Sequence, residues 1–114
     1  MPTIEVNTNV KVKHHDDFAK SLSELLSKLL DIPVANMNVV LNDEAPVYFG
    51  ATTDPAYMAR LYSVGGLNVE SNKKFSNELS TFFENELGAP NNRGYIFFVN
   101  PGRENCGYIG STLA

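Results

Sequence analysis

The 114 residues carry a net charge of -4, with 43% hydrophobic and 19% charged side chains. This is the composition of one soluble domain with a modest core, and the acidic balance excludes a nucleic-acid backbone binder, which needs a basic face. No apolar run approaches the roughly 18 residues that span a bilayer, so no membrane partner is expected. The N-terminus lacks a charged-then-apolar signal pattern, which makes the cytoplasm the default compartment. The single cysteine, Cys106, rules out an intrachain disulfide, a C-x-x-C redox pair and a cysteine-built metal site. His14 and His15 are adjacent beside Asp16 and Asp17, and neighbours on a helix do not face one another, so no metal is expected there.

In chain order, Ile4 and Val6 alternate with Thr3, Glu5 and Asn7, the period-two pattern of a half-buried strand. Pro2 stands at its mouth, where a proline costs no ladder hydrogen bond. Trimming of Met1 before so small a residue would turn Pro2 into a rigidly held secondary amine. Such an amine starts only slightly basic, and an apolar pocket disfavours its cation further, which suits a general base at neutral pH.

Asp16 or Asp17 is expected to cap a helix with Phe18, Leu22, Leu25, Leu26, Leu29 and Leu30 on one face and Lys20, Glu24 and Lys28 on the other. Pro33 ends it. Residues 37–41 read as a buried strand, 42–46 as a turn, and 47–49 as a short strand stopped by Gly50. The pattern then restarts. Residues 57–64 alternate as a strand broken by Gly65-Gly66. Ser71 or Asn72 is expected to cap a helix with Phe75, Leu79, Phe82, Phe83 and Leu87 inward. Residues 95–99 form the matching strand, and 106–109 a last short one.

A shift of 57 residues lays Phe18 on Phe75, Leu22 on Leu79, Leu26 on Phe83, Pro33 on Pro90 and Val39 on Ile96. Two β-α-β pseudo-repeats are implied, over about residues 2–50 and 57–110 of a single domain. Right-handed crossovers then give an α/β (α+β) fold, a four-stranded mixed sheet with two helices on one face. Val40, Phe97 and Val99 would give the other face an apolar surface, which predicts a closed homo-oligomer whose short extra strands extend a neighbour's sheet.

The chain resembles the macrophage migration inhibitory factor and D-dopachrome tautomerase family of the tautomerase superfamily. Met1-Pro2 with Asn7-Thr8-Asn9, Phe49-Gly50 with Thr53-Asp54-Pro55, and Ser63-Val64-Gly65-Gly66-Leu67 carry the likeness. Asn72-Lys73-Lys74, Arg93 with Tyr95-Ile96, and the end 107–112 complete it. The resemblance implies a homotrimer and a keto–enol tautomerase, an isomerase of phenylpyruvate or dopachrome type, which needs no cofactor. Pro2 would be the catalytic base. Val64 would meet the substrate through its backbone, and Tyr95 would enter from the adjacent subunit. Thr3, Asn36, Tyr62, Ser63, Cys106, Tyr108 and Leu113 match other pocket-wall positions.

The departures are specific. Ile32 replaces the family's substrate-binding lysine, Phe97 its pocket asparagine, Tyr108 its tryptophan and Leu113 its phenylalanine. The expected pocket is therefore more apolar and favours uncharged or ester substrates, with Arg60 or Arg103 as the available substitute cations. The alternative expectation is a cytokine-type signalling protein, acting on a cell-surface receptor after secretion by a leaderless route, with a vestigial site. Pro55-Ala56-Tyr57-Met58-Ala59 lacks the cytokine-type C-x-x-C, so thiol oxidoreductase activity is not expected.

Overall fold

The structure, a computed structural model, describes residues 2–114. The strands are β1 (Thr3–Thr8), β2 (Asn38–Asn42), β3 (Tyr57–Tyr62) and β4 (Gly94–Val99). Helix α1 (His15–Leu30) joins β1 to β2, and α2 (Val69–Leu87) joins β3 to β4. The sheet order is β2-β1-β3-β4, with β1 parallel to β2, antiparallel to β3, and β3 parallel to β4. These are the two β-α-β units and the mixed sheet expected from the helical stripes.

Alternation divides each strand between two faces. Ile4, Val6, Ala59 and Leu61 point at the helices and pack against Phe18, Leu22 and Leu26 of α1 and Phe75, Leu79 and Phe83 of α2. Each of these side chains larger than Ala59 contributes about 1.5–3 kcal/mol by leaving water.

The other face corrects one expectation. Its registered rows are Asn38–Thr3–Tyr62–Val99, Val40–Glu5–Arg60–Phe97 and Asn42–Asn7–Met58–Tyr95. Its middle is polar rather than apolar, because Glu5 and Asn7 share the face with Val40. Arg60 Nη1 meets Glu5 Oε1 at 3.1 Å, Asn7 Nδ2 donates to Glu5 at 3.2 Å, and Asn42 Nδ2 donates to Asn7 Oδ1 at 3.0 Å. The Asn7 hydrogen bond, ahead of Arg60, lowers the Glu5 pKa. The apolar groups of this face are concentrated on β4, where Tyr95 and Phe97 are exposed.

The caps also differ. Neither Asp16 nor Asp17 caps α1; the cap position is His14, whose side chain makes no capping bond. Asp43, just beyond β2, closes that end, accepting from Val12 N at 2.9 Å and His15 Nε2 at 2.9 Å. At α2, Asn68 is the cap rather than Ser71 or Asn72. Asn68 accepts from Ser71 N, and the Ser71 hydroxyl accepts from Asn68 N, both at 2.9 Å, a reciprocal capping box. Strand β3 ends at Tyr62, two residues early, because Ser63 Oγ turns back to Gly65 O at 2.7 Å.

Among the described residues, 47–49 form no strand, only an isolated Phe49–Thr52 bridge. The C-terminus folds as a hairpin of β5 (Gly107–Tyr108) and β6 (Ser111–Thr112). Ile109 and Gly110, at φ 51° and 72°, form its two-residue turn, as a tight hairpin requires.

Candidate active site

Strand β1 is central in the sheet, so its first residues are held on both sides. Pro2 O accepts from Asn38 N at 3.1 Å, and Thr3 pairs with Asn38 on one flank and Tyr62 on the other. Pro2 is fully buried. Beside it lies a cleft of about 330 Å³ built from three segments. Pro2 and Thr3 come from β1, Asn36 and Asn38 from the stretch entering β2, and Cys106 and Tyr108 from the C-terminal hairpin. That hairpin is closed by Leu113 N donating to Cys106 O at 3.0 Å.

The stretch entering β2 has a local cause. Asp31 adopts a left-handed φ of 55°, ending α1, and Ile32 N and Ser27 Oγ exchange bonds with Ser27 O at 3.2 Å and Ile32 O at 2.6 Å. Pro33 then starts a short 3₁₀ turn, Val34–Asn36, which delivers Asn36 to the cleft.

Among the described residues, no lysine, arginine, histidine or carboxylate lines this cleft; its polar groups are carboxamides, hydroxyls and one thiol. Arg60 is engaged with Glu5 on the sheet face, and Arg103 lies in the Arg103–Asn105 turn, so neither lines it.

Of the residues singled out from sequence, Pro2, Thr3, Asn36, Cys106 and Tyr108 converge on the cleft. Ile32, Ser63 and Val64 line a separate hollow of about 170 Å³. Continuing the β1–β3 register sets Ser63 opposite Pro2, so the two hollows flank the same strand end. Tyr62 sits across from Thr3 on the open face, and Leu113 is half-buried behind the hairpin.

Tyr95 and Phe97 are not brought in by their own chain. Tyr95 shares a row with Asn7, roughly 13 Å along β1 from Thr3 and two strands, roughly 10 Å, to the side. Phe49, Tyr95 and Phe97 instead form an aromatic row with centroids 5.4 and 6.4 Å apart.

Asn38 and Met37 line the cleft too but were not singled out from sequence. The usable signal for Asn38 is parity. It begins β2 in register with Thr3, and its Nδ2 donates to Thr3 Oγ1 at 3.3 Å.

This geometry defines a two-unit β-α-β protein with a proline-walled cleft. The family model for macrophage migration inhibitory factor (MIF) matches residues 1–114. The macrophage migration inhibitory factor homolog of Trichinella spiralis is 35% identical over 99% of this chain and 100% of its own. The macrophage migration inhibitory factor of Xenopus tropicalis is 32% identical over the whole of both chains. The solved structure of the Trichinella spiralis factor superposes with a TM-score of 0.91 at 34% identity, covering 96% of this chain and 98% of that one. The chain belongs to the macrophage migration inhibitory factor family. No helix among the described residues is long and apolar enough to cross a membrane.

Proposed function

We propose that the chain is a keto–enol tautomerase whose base is the Pro2 nitrogen, assembled as a homotrimer and selective for uncharged carbonyl substrates. The observation that carries this reading is a buried strand-mouth proline beside a cleft without a charged side chain.

Removal of Met1, which lies outside the described residues, makes the Pro2 nitrogen a secondary amine. Burial disfavours its cation, so the amine is neutral at physiological pH. It takes a proton from the carbon next to the substrate carbonyl, at about 3 Å. The electron pair moves onto the carbonyl oxygen as an enolate, which neutral donors of the wall, Asn36 and Asn38, stabilise. Pro2 then returns the proton at the other end of the enol system. With no cation in the wall, a substrate carboxylate would lose its water without gaining a partner. Esters and other uncharged aryl ketones escape that cost.

The homotrimer reading rests on the aromatic row of β4. Tyr95 and Phe97 are too far from their own chain's Pro2 to meet its substrate, yet 64% and 50% exposed. A neighbouring copy would use them as the outer wall of its cleft. Residues 47–49, joined here only by the Phe49–Thr52 bridge, would find a strand partner on the same neighbour. A second reading, receptor signalling, is favoured by the relatives' names and by Ile32, which leaves a carboxylate-handling site without its cation.

Turnover of an aryl pyruvate and its methyl ester by processed protein and by Pro2→Gly separates the two. The enzymatic reading expects the ester to be preferred and Pro2→Gly to lose about 10²-fold or more in kcat/KM. Equal slow turnover by both proteins leaves signalling alone.

A further inference from the structure

Two carboxamides, Asn36 and Asn38, stand in the wall of the Pro2 cleft, with no charged side chain beside them among the described residues. Asn38 is tied to the strand mouth: its Nδ2 donates to Thr3 Oγ1 at 3.3 Å, and its backbone N–H donates to Pro2 O at 3.1 Å. Asn36, half-buried at the end of the 3₁₀ turn, makes no side-chain hydrogen bond among the described residues. Its carboxamide is the free one.

Stabilising an enolate uses half of what Asn36 offers. A carboxamide is planar and presents an N–H donor and a carbonyl acceptor side by side. The enolate oxygen takes the donor, which leaves Oδ1 facing whatever group is attached to the ketone. An ester turns an oxygen to it, acceptor against acceptor, and a carboxylate does the same with charge. Oδ1 then gives up its water without gaining a partner. An amide N–H meets it instead. In an α-keto amide the two carbonyl dipoles oppose one another, which sets the amide N–H on the same side as the ketone oxygen. One carboxamide edge then makes both bonds at once, and Asn38 keeps its second N–H for the enolate.

We propose that the substrate is an aryl α-keto amide with a free N–H, gripped edge to edge by the Asn36 carboxamide. With Pro2 as the proposed base, on which this rests, the uncharged carbonyl substrates narrow to one class. The reaction remains an isomerisation. The C–H bond next to the ketone breaks, its proton goes to the Pro2 nitrogen, and the electron pair moves onto the ketone oxygen. The proton is then returned to that oxygen as the enol forms, and the amide stays intact. The bond from Asn36 Nδ2 strengthens as charge develops on the oxygen, while the bond to Oδ1 fixes which carbonyl group stands there.

The test compares tautomerisation of phenylpyruvamide, its N,N-dimethyl derivative and methyl phenylpyruvate by the Met1-processed protein, each kcat/KM divided by the uncatalysed rate constant. The primary amide is expected to exceed both others about tenfold, because it alone carries the N–H. Asn36→Leu is expected to bring the amide-to-ester ratio close to one, whatever it does to the absolute rates. Turnover that is lost in Pro2→Gly but equal for the three substrates, or an amide preference that survives Asn36→Leu, would overturn the amide assignment and leave the base in place. Turnover unaffected by Pro2→Gly would overturn the base itself, and the amide assignment with it.

Discussion

Single side chains decide which charge can enter the Pro2 cleft. Ile32 lines the hollow beside the strand end rather than the cleft itself, so a cation placed there could reach toward a ligand without displacing the wall. Ile32→Lys is expected to raise kcat/KM for an aryl pyruvate about tenfold and to leave its ester nearly unchanged, measured by initial rates; no gain for the acid would detach Ile32 from substrate binding. Asp43 acts on stability instead. Val12 N–H, then His15, hold its pKa below the ordinary carboxylate value. A depressed folded pKa contributes stability present above the unfolded value and lost as pH falls through the folded one. Asp43→Asn is therefore expected to lower stability by about 1 kcal/mol at pH 7, with the difference vanishing toward acid, as read by urea unfolding across pH.

At the scale of elements, the two helices are started in different ways. Helix α2 carries its cap in its own sequence, the Asn68–Ser71 pair, whereas α1 has no side-chain cap and the segment before it is tied down by Asp43, which holds Val12 N and the His15 side chain. Asn68→Ala should cost about 1 kcal/mol in a thermal or urea melt, and Asp16→Ala clearly less, since no capping bond involves it. The same contrast explains what was legible beforehand. Helical stripes repeat at a fixed offset because both helices cover one sheet face, so the two units and their core could be read from Phe18, Leu22, Phe75 and Leu79. Asp43 could not, because its bond to Val12 spans 31 residues and leaves no local pattern. The open face departs from its sequence pattern for a related reason. Branched and aromatic residues in β2 and β4 set the expectation, while Glu5 and Asn7 of β1, which form its polar centre, were counted as solvent-facing partners of Ile4 and Val6. Of the candidate site, the residues next to Pro2 in strand register were legible; Asn38 was passed over although its parity with Thr3 marks it.

For the whole molecule, the exposed aromatic row on β4 and the 47–49 segment, held only by one bridge, are the features that a lone chain leaves unused. In the proposed trimer both are covered, giving a particle three times the 12.6 kDa chain mass in sedimentation. Phe97→Asp is expected to shift that particle toward monomer and to lower turnover with it, because each cleft loses its outer wall; a monomeric wild type with full activity would contradict the assembly. The proposed chemistry depends on something smaller, a basic lone pair on the Pro2 nitrogen. The most direct measurement compares kcat/KM against pH for two samples whose intact masses differ only by the presence of Met1. The account predicts that the processed protein is active with an acid limb, as protonation of the amine removes the base, and that the Met1-bearing protein, whose Pro2 nitrogen is an amide, is inactive. Equal activity in both samples, with the same pH profile, would contradict it.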